Sequence, residues 1–146
     1  MQPGHQLLAF DVVVHAAPHR SVPARQVVVE QLPVDVLTVT EAELPPFSIS
    51  FEQAMQQLEA LPGMFVEPDG SFVWKSTDAG LSCQLDGNLY DRDDHLLYST
   101  LKGQCTSEVL DQWLASIGWP TQSVVMQDLR RGWFLTDSAF RTIADR

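Results

Sequence analysis

Apolar residues fall in two rhythms along this chain, and each change of rhythm marks an element. Leu8, Phe10, Val12 and Val14 alternate with Ala9, Asp11 and Val13, the two-residue period of a strand, predicted over about residues 7–15. Residues 26–32 and 34–40 are rich in β-branched side chains, and Pro33 between them predicts a bulge or an edge strand. After Pro45-Pro46 the period changes. Phe51, Met55, Leu58 and Leu61 recur at helical spacing behind a Ser50–Gln53 capping box, so a helix is expected over about 51–61, ended by Pro62-Gly63. A second helix is expected over about 107–117. Thr106 serves as its N-cap, Val109, Leu110, Trp113, Leu114 and Ile117 form its apolar stripe, and Gly118-Trp119-Pro120 stops it. Residues 123–129 read as another strand, and Thr136 or Asp137 can cap a short last helix through Phe140 and Ile143.

Between the two longer helices, three turn signals define a meander. Glu67-Pro68-Asp69-Gly70-Ser71 pairs Val66 with Phe72 and Met64 with Trp74. The turn at Thr77-Asp78-Ala79-Gly80 pairs Ser76 with Leu81, hence Trp74 with Cys83. The turn around Arg92-Asp93-Asp94 pairs Asp91 with His95, hence Leu89 with Leu97 and Cys83 with Gly103. The registers agree on one apolar face made of Met64, Val66, Phe72, Trp74, Cys83, Leu85, Leu89, Leu97 and Leu101. The expected fold is therefore a single α+β domain over residues 1–146. It is a two-layer sandwich with a central four-stranded antiparallel meander (about 64–104), flanked by the two helices, with extra N-terminal strands and a C-terminal strand.

Charge narrows the classes of partner. Nine Lys and Arg stand against nineteen Asp and Glu, a formal net charge of −10. That balance disfavours nucleic acid and anionic membrane surfaces and mildly favours basic partners. The few clustered arginines, Arg130, Arg131, Arg141 and Arg146, are interspersed with Asp128, Asp137 and Asp145. No signal peptide or membrane-length apolar run is legible, so the cytoplasm is the expected compartment.

Motifs with sharp chemical signatures are missing: no GxGxxG, P-loop, HExxH or GxSxG. Cys83 and Cys105 lack metal-type spacing and read as small buried hydrophobes, meeting only across a diagonal in the expected register. His15 and His19, with His5 nearby, fall on a strand end and a loop, where their spacing fixes no common face for a metal. Asp86, Asp91, Asp93 and Asp94 offer hard oxygen donors, but the glycine and closing glutamate of an EF-hand are absent, and Asp is a favoured hairpin residue anyway. No cofactor, metal ligand or catalytic residue is assigned.

The second face of the meander carries the remaining signal. Phe65, Val73, Gln84, Asp86, Asn88, Tyr90, Leu96, Tyr98, Thr100 and Lys102 mix aromatic with hydrogen-bonding groups, as pockets and partner surfaces do. Asp86, Asn88, Tyr90, Tyr98 and Lys102 are the binding candidates, unless the N-terminal strands or the C-terminal segment simply cover that face. Trp74 and Trp113 belong to the core on their faces, whereas Trp119 and Trp133 are open to service as exposed anchors. The expected function is a small acidic binding or protein-interaction module without catalysis, acting on a protein partner or as a homodimer. A small-molecule binder using the mixed face is the first alternative. An enzyme with Asp86 and His95 or Tyr98 as acid and base is the second.

Overall fold

The computed structural model describes residues 6–144. The strands predicted from alternation all join one sheet. β1 (Leu8–Ala16), β2 (Ala24–Val29) and β3 (Leu32–Leu37) precede α1 (Phe51–Glu59). The meander follows as β4 (Met64–Val66), β5 (Ser71–Asp78), β6 (Leu81–Arg92) and β7 (His95–Cys105). α2 (Ser107–Ala115), β8 (Val124–Asp128), β9 (Trp133–Thr136) and α3 (Asp137–Ile143) complete the order. The fold is α+β, with a nine-stranded antiparallel sheet in the order β2-β3-β9-β8-β1-β7-β6-β5-β4. The expected four-stranded central sheet is thus corrected: the meander is one half of a larger sheet. The N-terminal strand lies in the plane of that sheet, between β7 and β8, instead of covering it.

Helix ends follow the capping chemistry. The Ser50, Thr106 and Thr136 hydroxyls accept from the backbone N–H groups of Gln53, Val109 and Ala139, at 3.0, 3.3 and 3.2 Å. Thr106 also donates to Asp78 Oδ2 at 2.7 Å, which ties the start of α2 to the end of β5. The buried residues of all three helices join one core with Phe10, Val12, Val14, Trp74, Leu85 and Leu101 from a single face of the sheet. Phe72 packs on Trp113 with ring centroids 5.8 Å apart, and Phe10 meets Phe140 edge-on at 5.2 Å.

Two expected registers shift, and turn chemistry is the reason. Ala79-Gly80 and Asp93-Asp94 are two-residue turns in which both residues have positive φ (51° and 78°, 51° and 68°), the mirror-type turn that suits twisted hairpins. Trp74 therefore pairs with Leu85, not Cys83. Leu89 pairs with Ser99, not Leu97. Displacement by two residues keeps every side chain on its predicted face. A bulge between Tyr90 and Asp91 breaks the parity only near the third turn, so Leu96 enters the core and Leu97 is left half-buried. A third such turn, Glu30-Gln31 (φ 49° and 71°), joins β2 to β3 and places Pro33 inside β3 instead of at a break.

The chain from Leu37 to Ser50 forms a strap. A 3-10 turn at Glu41–Glu43 is closed by the Glu43 carboxylate, which accepts from Thr40 N–H at 2.9 Å, and Arg20 pairs with Glu43. Leu44 is buried apart from the main core, as are Val13 and Val125 of the second face. The strap then joins β7: Phe47 N–H donates to Leu96 O at 2.8 Å, and Leu96 N–H to Ile49 O at 3.1 Å.

Candidate functional site

Because neighbouring strands hold their partners in fixed rows, pairing alone determines which side chains meet on the second face. One row runs Phe65, Val73, Asp86, Lys102 and Asp11. The next runs Ser71, Asn88, Thr100, Val13, Gln127 and Phe134. The third runs Tyr90, Tyr98, His15 and Val125. The five sequence-derived candidates therefore share one face, with Asp86 opposite Lys102 and Tyr90 directly opposite Tyr98. The expected Leu89–Leu97 register implies Tyr90 opposite Leu96 and Tyr98 opposite Asn88, and the two-residue turn with the bulge replaces both pairs.

Tyr90, Tyr98 and His15 of the third row, with Phe134 of the second, form a file of rings. Tyr90 and Tyr98 lie 5.0 Å apart, Tyr98 and His15 5.5 Å, and His15 and Phe134 6.1 Å. His15 is 2% exposed, and its Nε2 is 2.8 Å from Gln127 Oε1. Burial pulls the His15 pKa below its usual value, against the opposing influence of Gln127 and the Glu41 carboxylate. Its imidazole is accordingly neutral at neutral pH, and it serves as the inner anchor of the row. Asn88 is fixed too: its N–H donates to Thr100 Oγ1 at 2.9 Å and its Nδ2 to Leu89 O at 2.8 Å.

The two halves of this face differ. On the β1–β8 side, His15, Val13 and Val125 are buried. On the β4–β6 side, Phe65 is 64% exposed, Tyr90 42% and Val73 38%. Tyr98 stands at the boundary, half-buried. The face is neither wholly covered nor wholly open. Around the Tyr90 end the turns carry Glu67, Asp69, Asp91, Asp93 and Asp94 against Arg92, all exposed.

The two acid–base pairs expected from the sequence lie far apart. Tyr98 is four residues along β7 from Lys102, the partner of Asp86, which separates it from Asp86 by about 13 Å at the usual strand rise. His95 pairs with Arg92, about 20 Å from Asp86 by the same measure. The Asp86–His95 and Asp86–Tyr98 pairs are not brought together. Among the described residues no three His, Cys, Asp or Glu side chains gather as metal ligands, and His5 lies outside them.

Other expected features resolve structurally. Trp119 and Trp133 are half-buried against the core, with Arg141 and Arg131 over their rings at 5.4 and 5.9 Å. Arg131 pairs with Asp128 at 2.9 Å, and Arg141 with Asp111 at 2.7 Å and Asp137 at 2.8 Å, so these cations are neutralised locally. Arg146 lies outside the described residues. Cys83 and Cys105 are free and buried. Gly103 sits opposite Leu85 and Gln84 opposite Gln104, so the next pair outward is Cys83 with Cys105, closer than the diagonal expected. Burial, and then the neighbouring Cys83, push the Cys105 thiol up to about 12.

Sequence reasoning missed His15, Gln127 and Phe134 as members of this face. Val13 and His15 do alternate out of phase with Val12 and Val14, but nothing local says that β1 borders β7 and β8. No family model, curated protein or solved structure matches this chain. No helix among the described residues is long and apolar enough to cross a membrane.

Proposed function

We propose that this protein is a non-catalytic protein-interaction module whose docking surface is the open β4–β6 half of the second sheet face, and that its partner presents cationic side chains. The observation that carries this reading is the exposure of Phe65, Val73 and Tyr90 together on one half-face whose other half is buried. Phe65 and Val73 are paired neighbours and Tyr90 lies two rows further along the same face; exposed apolar and aromatic residues gathered on one half-face cost solvation in an isolated chain, a cost that a partner relieves. Tyr90 adds a polar handle and a ring face that attracts Lys or Arg.

Charge selects the partner. The acidic turns beside Tyr90 favour a cation, and the net charge of −10 opposes association of two copies. Lys102 stands between Asp86 and Asp11, one cation flanked by two carboxylates within the face, which suits orientation more than affinity.

The test is an NMR titration with a soluble peptide of alternating lysine and valine, and with its glutamate–valine counterpart. The basic peptide is expected to shift amides of β4, β5 and β6 around Phe65, Val73 and Tyr90, and the acidic one is not. Phe65→Ser with Tyr90→Ser should remove the response while leaving the melting temperature unchanged, since both side chains are exposed. Equal responses to the two peptides, shifts confined to other elements, or no response at all refute the proposal.

A further inference from the structure

A cleft of about 740 Å³ opens between α1 and the turn after α2. The end of β1, the strap before α1, one side of α1 and the turn after α2 form its walls. Charged residues make up 19% of the chain, yet none of the residues lining this cleft is Asp, Glu, Lys or Arg. The adjoining cleft of about 470 Å³, which shares Pro18 and Trp119, does carry charge, from Arg20 and Asp137. The lack of Asp, Glu, Lys and Arg is therefore a property of this cavity, not of the region.

The walls supply two kinds of contact. Gln53 and Gln57 stand one helical turn apart on α1 and so point the same way. Neither side-chain amide has a partner among the described residues. Gln122 faces the cavity from the loop before β8, and its Nε2 donates to Ser123 O at 3.1 Å, leaving its oxygen free to accept. Each amide both donates and accepts, which matches a hydroxyl group, itself donor and acceptor. Ile117 and Trp119 supply the apolar wall. Arg141 sits over the Trp119 ring and is itself held by Asp111 and Asp137, which fixes the indole in place.

This chemistry disfavours ions. His19 is the one titratable side chain in the lining, an anion would approach a protein of charge −10, and an amine would find no carboxylate to pair with. A ligand with a flat apolar face and a rim of neutral hydroxyls satisfies both kinds of wall. We infer that this cleft binds a neutral saccharide, its ring face against Trp119 and its hydroxyls on Gln53, Gln57 and Gln122. The volume lies within the range of small-molecule sites.

Titration calorimetry of the full chain decides it, with maltotriose, cellotriose and triacetylchitotriose as neutral probes. Deacetylated chitotriose and trigalacturonate serve as the cationic and anionic counterparts. At least one neutral trisaccharide is expected to bind, and both charged ones to fail. Trp119→Ala should weaken binding by about tenfold or more. Because Trp119 also touches the core, the double variant Gln53→Ala with Gln57→Ala provides the second reading: both side chains are exposed, so its melting temperature should hold while its affinity falls. Failure of all three neutral probes, equal binding of a charged one, or undiminished binding by the double variant overturns the inference.

Discussion

Gly87 offers the sharpest stability test in the molecule. It lies on the core face of β6, with Phe72 opposite on β5 and Leu101 opposite on β7. A methyl group built there would stand 2.0 Å from Thr100 O, 2.8 Å from Thr100 C and 2.9 Å from the tip of the Phe72 ring. The first two atoms are backbone of the neighbouring strand, so no rotamer change relieves the clash. The third belongs to a ring already packed on Trp113. Gly87→Ala must therefore part β6 from β7 and push Phe72 into its neighbours. Overpacking of this kind costs about 1–3 kcal/mol, and each ladder hydrogen bond stretched adds about 1 kcal/mol. The expected loss is about 3 kcal/mol, or about 10 °C in melting temperature for a domain of this size. Gly80→Ala is the control: nothing lies within 4 Å of the added atom, and the cost is that of a left-handed φ of +78°, about 1–2 kcal/mol. Urea unfolding with an unchanged slope measures both. A Gly87→Ala loss no larger than that of Gly80→Ala would refute the close approach.

Three further outcomes are expected. Leu85→Ala and Leu114→Ala each remove a fully buried side chain and should cost about 2–5 kcal/mol in urea melts; a loss below about 1 kcal/mol would contradict their placement. Burial holds the native His15 pKa below the 6.5 of an unfolded histidine, so its contribution to stability is intact above pH 6.5 and is lost as pH falls beneath it, where the unfolded chain takes up a proton that the native one refuses. The urea midpoint should drop between about pH 7 and pH 5, and His15→Gln should flatten that drop. With its thiol pushed up to about 12, Cys105 should react with a thiol reagent at the rate of global unfolding; fast labelling of the native protein would count against its burial.

What the sequence disclosed depended on how local the controlling signal was. Capping hydroxyls and helical spacing sit within a few residues of the elements they start, so α1, α2 and α3 were legible, and of the two caps open for α3, Thr136 and Asp137, the structure uses Thr136. The Pro68-Asp69-Gly70 turn was equally explicit and gave the right register, Met64 with Trp74. Asp93-Asp94 and Glu30-Gln31 were not, because neither dipeptide advertises two positive φ values as Asn-Gly would. The predicted faces survived because the register errors in the body of the meander were even, and the one odd step, at the bulge, exchanged Leu97 for Leu96. Asp86, Asn88, Tyr90, Tyr98 and Lys102 were grouped correctly on one face for the same reason. The burial of His15 depends on β7, β8 and Phe134 of β9, all from the second half of the chain, and no local pattern carries that information.

The place of β1 has a consequence for the order of assembly. It is the earliest described strand in the chain, yet its two neighbours are among the later ones: Leu8 meets Cys105 on one side and Val12 meets Asp128 on the other. The meander can zip hairpin by hairpin as soon as it is synthesised, since its contacts are local. β1 must wait, unpaired on both edges, until β7 exists, and keeps one open edge until β8 follows. During that interval the run from Val12 to Val14 is an apolar strand with an open edge, the kind of segment that recruits other chains. The two halves of the sheet, β4–β7 and β2-β3-β9-β8, are joined through this strand alone. Insertion of β1 is thus the step that turns two partial sheets into one, and a nascent chain is most in need of a chaperone just before it.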